Sequence, residues 1–164
     1  MILIEDKHFA DAVKNGLKIK KQTIYYIGKL EETTTEDFNP FEYYVGKGIY
    51  VGKLADINGK NHKHIFVALN DLPEQLTWKQ AINFKYNDGY KLPDIRELSF
   101  IHLYKDAVNS ALKKHDGKPF KEDDWYWSST EYNDGYAWIL AFYSGGRSTG
   151  HKYGTVYVRP VLAF

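Results

Sequence analysis

Five tyrosines near the C-terminus, Tyr132, Tyr136, Tyr143, Tyr153 and Tyr157, together with Arg147 and His151, have the composition of a contact surface rather than of a reaction centre. Tyrosine offers a large amphipathic area for two side-chain torsions, and arginine adds a forked set of donors, so such a group grips a partner at small entropic cost. Gly145, Gly146, Ser148, Thr149 and Gly150 lie between them and permit close approach. Any one of these tyrosines alone could instead cover the edge of a core; as a group they point to a ligand surface. Other chemistries have fewer residues behind them. His62 and His64 in NHKH share one face of a strand, the spacing of two metal ligands, but no third ligand is spaced near them, and an exposed hairpin is the preferred reading. Asp123, Asp124, Glu131, Asn133 and Asp134 could offer hard oxygen ligands to calcium, although solvated turns account for them as well. Glu31 with Glu32, and Asp123 with Asp124, are adjacent and would point apart, so they make no acid–base pair. No nucleophile elbow, phosphate loop, HExxH or dinucleotide fingerprint occurs.

The elements that must position the tyrosines are legible from period-two patterning. Trp138, Leu140 and Phe142 fall on one parity of a strand and Ile139, Ala141 and Tyr143 on the other, and one face can be core. After a Gly-rich reversal, a second strand carries His151, Tyr153, Thr155 and Tyr157 on one parity with Val156 and Val158 on the other, giving a hairpin with an apolar and a tyrosine-rich face. Upstream, residues 6–16 suit a short helix, KQTIYYIGKL a strand, and EETTTEDFNP a polar linker. Gly48 to Leu54 and His64 to Leu69 read as a hairpin about Asp56, Asn58, Gly59 and Asn61. Thr77 with Gln80 forms a capping box for a helix that runs toward Asn87 and Gly89. Pro93 and Asp94 open a second helix with Ile95, Leu98 and Ile101 buried, restarting at Asp106 and ending by Gly117 and Pro119. Arg96 and Glu97 are expected as a pair on its surface. Strands, two helices, then strands make an α+β order. YNDGY occurs at 86–90 and again at 132–136 and is read as a recurring turn former.

At 164 residues the chain suits one domain, 41–164, behind an N-terminal extension, 1–40. Lys and Arg number 22 against 21 Asp and Glu, for a net charge of +1, so no field is available to gather a nucleic acid. The absence of cysteine excludes disulfides and thiolate chemistry. No stretch approaches a membrane span and MILIEDKHFADAVKNG lacks the pattern of a secretory leader, so a soluble chain is expected, without membrane insertion.

The order TW..A, GYKLPDIREL, WYWSSTEY, AW and YVRPVLAF resembles the C-type lectin fold as used outside animals. More closely it is similar to bacterial and phage proteins of the formylglycine-generating-enzyme-like branch, including the variable proteins of diversity-generating retroelements. The resemblance covers residues 43–164 and implies two helices packed on a small antiparallel sheet with a C-terminal β-hairpin. It makes Trp127, Ser128 and Ser129, with Thr130, a core motif, Trp138 the buried tryptophan that follows, and Arg159 with Pro160 a terminal motif, all of them scaffold. The formylglycine-generating activity depends on cysteines and is excluded here. Sugar-binding relatives that use calcium carry an acid-Pro-Asn loop and a Trp-Asn-Asp run, and neither is intact in this chain.

In retroelement-diversified relatives, exposed positions of the terminal hairpin are rewritten at adenines, mostly in AAC codons, which cannot yield Lys, Glu, Gln, Met or Trp. Asp134, Tyr136, Ile139, Ala141, Tyr143, Arg147, Ser148, Thr149, His151, Tyr153, Thr155 and Tyr157, with glycines 135, 150 and 154, are the outward positions here, and none belongs to that set. The expectation is a binding protein without catalysis, cofactor or metal, which captures a protein or glycan on a cell surface and is displayed on a phage tail or a bacterial surface. The alternatives are an assembly module whose aromatic face is covered by a partner or a second copy, and a calcium-dependent lectin.

Overall fold

A computed structural model describes residues 37–164. The helix expected at 6–16, the strand in KQTIYYIGKL, the start of the polar linker and the pair Glu31 and Glu32 lie outside the described residues. Packing begins before residue 41: the Phe38 ring sits within 5.1 Å of the rings of Tyr44, Tyr50, His64 and Phe66.

Strands β1 (Tyr43–Tyr44), β2 (Gly48–Ala55), β3 (His62–Val67) and β9 (Val161–Ala163) form a four-stranded antiparallel sheet in the order β1-β2-β3-β9. Its β2–β3 turn uses the expected chemistry: Asp56 Oδ1 accepts the N–H groups of Asn58 and Lys60, and Asn61 donates to Asp56 Oδ2. Gly48 is obligatory where the sheet begins. Its φ is +85°, and a Cβ there would stand 2.2 Å from the Val67 carbonyl oxygen.

Helix α1 (Trp78–Asn83) starts at the expected Thr77–Gln80 capping box but stops short of Asn87, because Phe84 turns to extended backbone. Helix α2 (Ile95–Leu103) opens on Asp94, again with a capping box, to Glu97. The restart expected at Asp106 falls one residue earlier: Tyr104, at φ −112° and ψ 22°, separates α2 from α3 (Lys105–Lys114). Leu98 and Ile101 of α2 and Val108, Ala111 and Leu112 of α3 are buried against Ile49, Val51, Ile65 and Val67 of the sheet.

The second half of the unit is a three-stranded antiparallel sheet, β5 (Trp125–Glu131), β6 (Tyr136–Ala141) and β7 (Arg147–His151), in the order β5-β6-β7. Leu140 and Phe142 enter the first core, where Phe142 stacks on Phe120 at 3.8 Å. Ala137 and Ile139 enter a second core with Ala81, Leu92, Trp127 and Val158. The single-faced hairpin expected from parity is therefore corrected. Strand β6 is covered on both faces, by the first core on one and the second on the other. The hairpin's second strand also ends at His151. Thr155 and Val156 form a separate strand, β8 (Thr155–Val156), which pairs with β4 (Leu76–Thr77) and not with β6. Mixed helices on small curled antiparallel sheets make this an α+β C-type-lectin-like fold.

The two YNDGY copies form different turns. At 86–90 Asp88 and Gly89 take positive φ, whereas at 132–136 the Asn133 side chain accepts the N–H groups of Gly135 and Tyr136.

Glu97 is not on the surface. Its side chain is fully buried, receives the Nζ groups of Lys63 and Lys91, and accepts the Asp94 N–H at 2.7 Å, while Arg96 reaches the Ala55 carbonyl instead. The N3 position of a capping box aims Glu97 back toward the segment before the helix, where Lys91 and, from β3, Lys63 arrive. Burial alone would raise the Asp94 pKa, but the Glu97 N–H, Lys63 and Lys91 outweigh it and hold Asp94 below 3.8. A depressed carboxylate contributes stability that is present above its unfolded pKa and lost as pH falls through the folded one. The urea midpoint of wild type should therefore exceed that of Asp94→Asn at neutral pH, and the gap should close below pH of about 3.8. A gap that is constant with pH would rule this contribution out.

Candidate ligand-binding surface

The β5–β6 turn and the β7–β8 connection bring five of the sequence-selected residues to one pole. Tyr136 stands opposite His151 in the β6–β7 register, with ring centroids 5.1 Å apart. His151 lies 5.1 Å from Tyr153 and accepts the Tyr153 N–H on Nδ1 at 3.3 Å. Tyr132 packs edge-on against Trp138 at 5.4 Å. Tyr132, Tyr136 and Tyr153 remain 57, 41 and 85% exposed. Asp134 is exposed at the tip of the same turn.

Lys152, which sequence reasoning passed over, fastens this pole. Its Nζ bonds Glu131 at 2.8 Å, lies 4.5 Å over the Trp78 ring, and its backbone N–H donates to Gly135. Its partners are spread from residue 78 to 135, so no local pattern marks it.

Tyr143 and Arg147 belong to the opposite end of β6. Tyr143 is 60% exposed beside the β6–β7 turn, where Lys105 donates to the carbonyls of Phe142 and Tyr143. The strand from Tyr136 to Ala141, five steps of about 3.4 Å, separates it from Tyr136 by on the order of 17 Å. The single surface read from the sequence is thus two poles joined by β7.

Other selected residues leave the surface. Ile139 and Ala141, expected outward, are 8 and 0% exposed, Ile139 as a member of the second core. Tyr157 is half-buried: it packs on Tyr126 at 6.0 Å, lies under the Lys121 Nζ, and its carbonyl accepts the Trp127 N–H. Thr155 is exposed, but on β8, beside Gln75. Ser148 is exposed and Thr149 half-buried along β7.

Among the scaffold positions, Trp127, Ser128, Arg159 and Pro160 are buried. Ser128 Oγ donates to the Trp138 carbonyl, where the β5–β6 register shifts. Ser129 is half-buried and donates to the Pro93 carbonyl. Trp138, expected fully inward, is also half-buried, and its outer edge is what Tyr132 covers.

Gly150 separates scaffold from surface. A Cβ there would stand 2.8 Å from Trp127 Cη2. Gly150→Ala should cost about 1–3 kcal/mol by overpacking, whereas Tyr153→Ala should stay within about 0.5 kcal/mol of wild type in urea denaturation. Equal effects from the two would contradict this division.

Glu131 is engaged by Lys152, and Asn133 Oδ1 by its own turn. Among the described residues, no three of His, Asp and Glu come together as metal ligands. His62 is exposed beside a shallow depression lined by Leu54, Lys63 and Arg96, and His64 Nδ1 lies 3.0 Å from the Tyr50 hydroxyl.

No curated protein matches the chain. The model of one family, described as the Lcl C-terminal domain, matches residues 59–162, a span that runs from the β2–β3 turn through both cores and both poles to the last strand. On that match over more than half of its length, the chain belongs to the Lcl C-terminal domain family.

Proposed function

We propose that this domain is a non-catalytic binding protein whose ligand, a protein or glycan on a cell surface, rests on the pole formed by Tyr132, Tyr136, His151 and Tyr153. One observation carries the reading: exposed tyrosines, one of them 85% accessible, are braced by neighbouring rings, Tyr136 and Tyr153 on His151 and Tyr132 on Trp138, on a clamped pair of turns. Aromatic rings that are already ordered contribute contact area without a further ordering cost, which is the physics of a paratope. The side chains at this pole project away from both cores, so their identity can change without altering the fold. That separation suits a gene rewritten by a diversity-generating retroelement, and a protein displayed on a phage tail or a bacterial surface.

Two measurements test the proposal. Labelled protein is applied to a glycan array and to intact bacterial cells, and the Tyr136→Ala/Tyr153→Ala double variant is expected to lose about 30-fold or more in affinity, roughly 2 kcal/mol. Undiminished binding by a folded double variant would remove the pole from consideration. Sequencing the locus should reveal a reverse transcriptase and a near-copy of the codons for residues 131–164, with adenine mismatches at Tyr132, Asp134, Tyr136, His151 and Tyr153. Mismatches confined to the codons of Ile139, Ala141 and Gly150 would contradict the assignment of the surface.

A further inference from the structure

The strand that joins the two poles is a sheet edge. In the β6–β7 register Ala141 donates to Gly146 and Lys152 donates to Gly135, which fixes the hydrogen-bonded pairs as 141 with 146, 139 with 148, 137 with 150 and 135 with 152. Residues 147, 149 and 151 are then the non-bonded positions, and their main-chain groups point away from β6. The His151 carbonyl is taken by Gly154 N–H, and the His151 ring by Tyr153 N–H. The N–H and C=O of Arg147, the N–H and C=O of Thr149 and the N–H of His151 remain as an open ladder, with β7 the last strand of its sheet among the described residues.

An unpaired row of donors and acceptors is a template for one more strand. From Phe142 to Val158 the chain carries Arg147, His151 and Lys152 but no Asp or Glu, and Lys152 is already neutralised by Glu131. The occupant is thereby selected by charge. A second copy of β7 pairing antiparallel about Thr149 would set Arg147 opposite His151, with no carboxylate on either strand to offset them. An acidic strand would place its carboxylate against Arg147 and its other end against the Tyr136, His151 and Tyr153 rings.

We propose that β7 is a strand-addition site for an extended acidic peptide segment of a partner protein, bonded through Arg147, Thr149 and His151. This deepens the binding reading by naming the partner class, and it rests on that reading. Peptide addition along β7 would also explain why Tyr143 and Arg147 at one pole, and His151 and Tyr153 at the other, belong to one surface even though they do not touch.

The probes are two synthetic heptapeptides, one alternating valine and glutamate, the other valine and lysine, titrated into the whole chain and followed by amide NMR. The acidic peptide is expected to bind, to shift the amides of Arg147, Thr149 and His151, and to slow their hydrogen exchange at least tenfold. Methylating the peptide nitrogens of one parity should abolish binding, and methylating the other parity should leave it unchanged. This control requires no change to the protein. Thr149→Pro, which removes an outward N–H without touching the β6–β7 ladder, should weaken binding at least tenfold. No protection of the edge amides, equal binding of the lysine peptide, or the same effect on binding from both methylation patterns would overturn the proposal. A mass that doubles with concentration and is restored to monomer by Thr149→Pro would overturn it in favour of self-pairing. If the edge stays bare while Tyr136→Ala/Tyr153→Ala still abolishes array or cell binding, the peptide inference fails and the aromatic pole stands. If the double variant binds the array and cells normally, the pole itself fails.

Discussion

Arg159→Met should lower the unfolding free energy by about 3–5 kcal/mol, because it removes the fully buried partner of a largely buried ion pair. The Arg159 side chain has no exposed surface, its Nε donates to Asp71 Oδ1 at 2.6 Å, and its Nη2 donates to the Lys118 carbonyl at 2.9 Å. Nη1 reaches the Ala68 carbonyl, and the guanidinium lies 4.3 Å over Phe120. One side chain therefore ties the start of the last strand to the loops that follow β3 and α3. Methionine can fill the volume over Phe120, so the cost is not mainly a cavity. It is the Asp71 carboxylate, 11% exposed and left with only the Tyr126 hydroxyl as a donor, together with carbonyls that lose theirs. Urea denaturation of Arg159→Met, Asp71→Asn and the double variant measures this. The two single costs should exceed the double cost when added, since removing the second partner relieves the orphaned charge. A loss below about 1 kcal/mol in Arg159→Met would mean that Asp71 is solvated when alone, and the pair would then be incidental to the fold.

What the sequence disclosed divides by the range of the interaction. The helix start at Thr77 follows from a capping box within four consecutive residues, and that at Asp94 from the adjacent Pro93 and Asp94. The β2–β3 turn is equally local, since Asp56 bonds groups two to five residues away. Parity along β6 correctly separated Leu140 and Phe142 from Ile139 and Ala141, but parity says only that two faces differ. Whether the second face meets water or another core depends on Ala81, Leu92 and Val158, which come from distant segments. Glu97 failed for the same reason: a carboxylate beside an arginine looks like surface until Lys63 is brought from 34 residues away. The resemblance to the lectin fold identified Arg159 as scaffold, yet its counter-charge lies 88 residues upstream and carries no motif. The tyrosines were legible as a composition. Their division into two poles was not, because it depends on the chain leaving β7 at His151 to pair β8 with β4.

Trp127→Ala should cost about 3–5 kcal/mol, the range for deleting a large buried aromatic. The indole is wholly buried in the second core, and its Nε1 donates to the Leu76 carbonyl at 2.7 Å, so truncation opens a void and orphans an acceptor. Trp127→Phe should cost less, since a phenyl ring keeps part of the volume but not the donor. The more searching test couples this ring to the β7 edge. The atoms that a Cβ at position 150 would strike first are Cη2 and Cζ3 of Trp127, which phenylalanine does not have. Gly150→Ala should therefore lose most of its penalty in the Trp127→Phe background, giving a coupling on the order of 1 kcal/mol in a double-mutant cycle. Ile139 Cγ2, at 3.2 Å, leaves a small residual cost. Additive effects would mean that β7 does not rest on the indole. Coupling, by contrast, would establish that the strand carrying Arg147, Thr149 and His151 is held in place by the buried tryptophan beneath it, which is why its edge can stay open without the strand itself fraying.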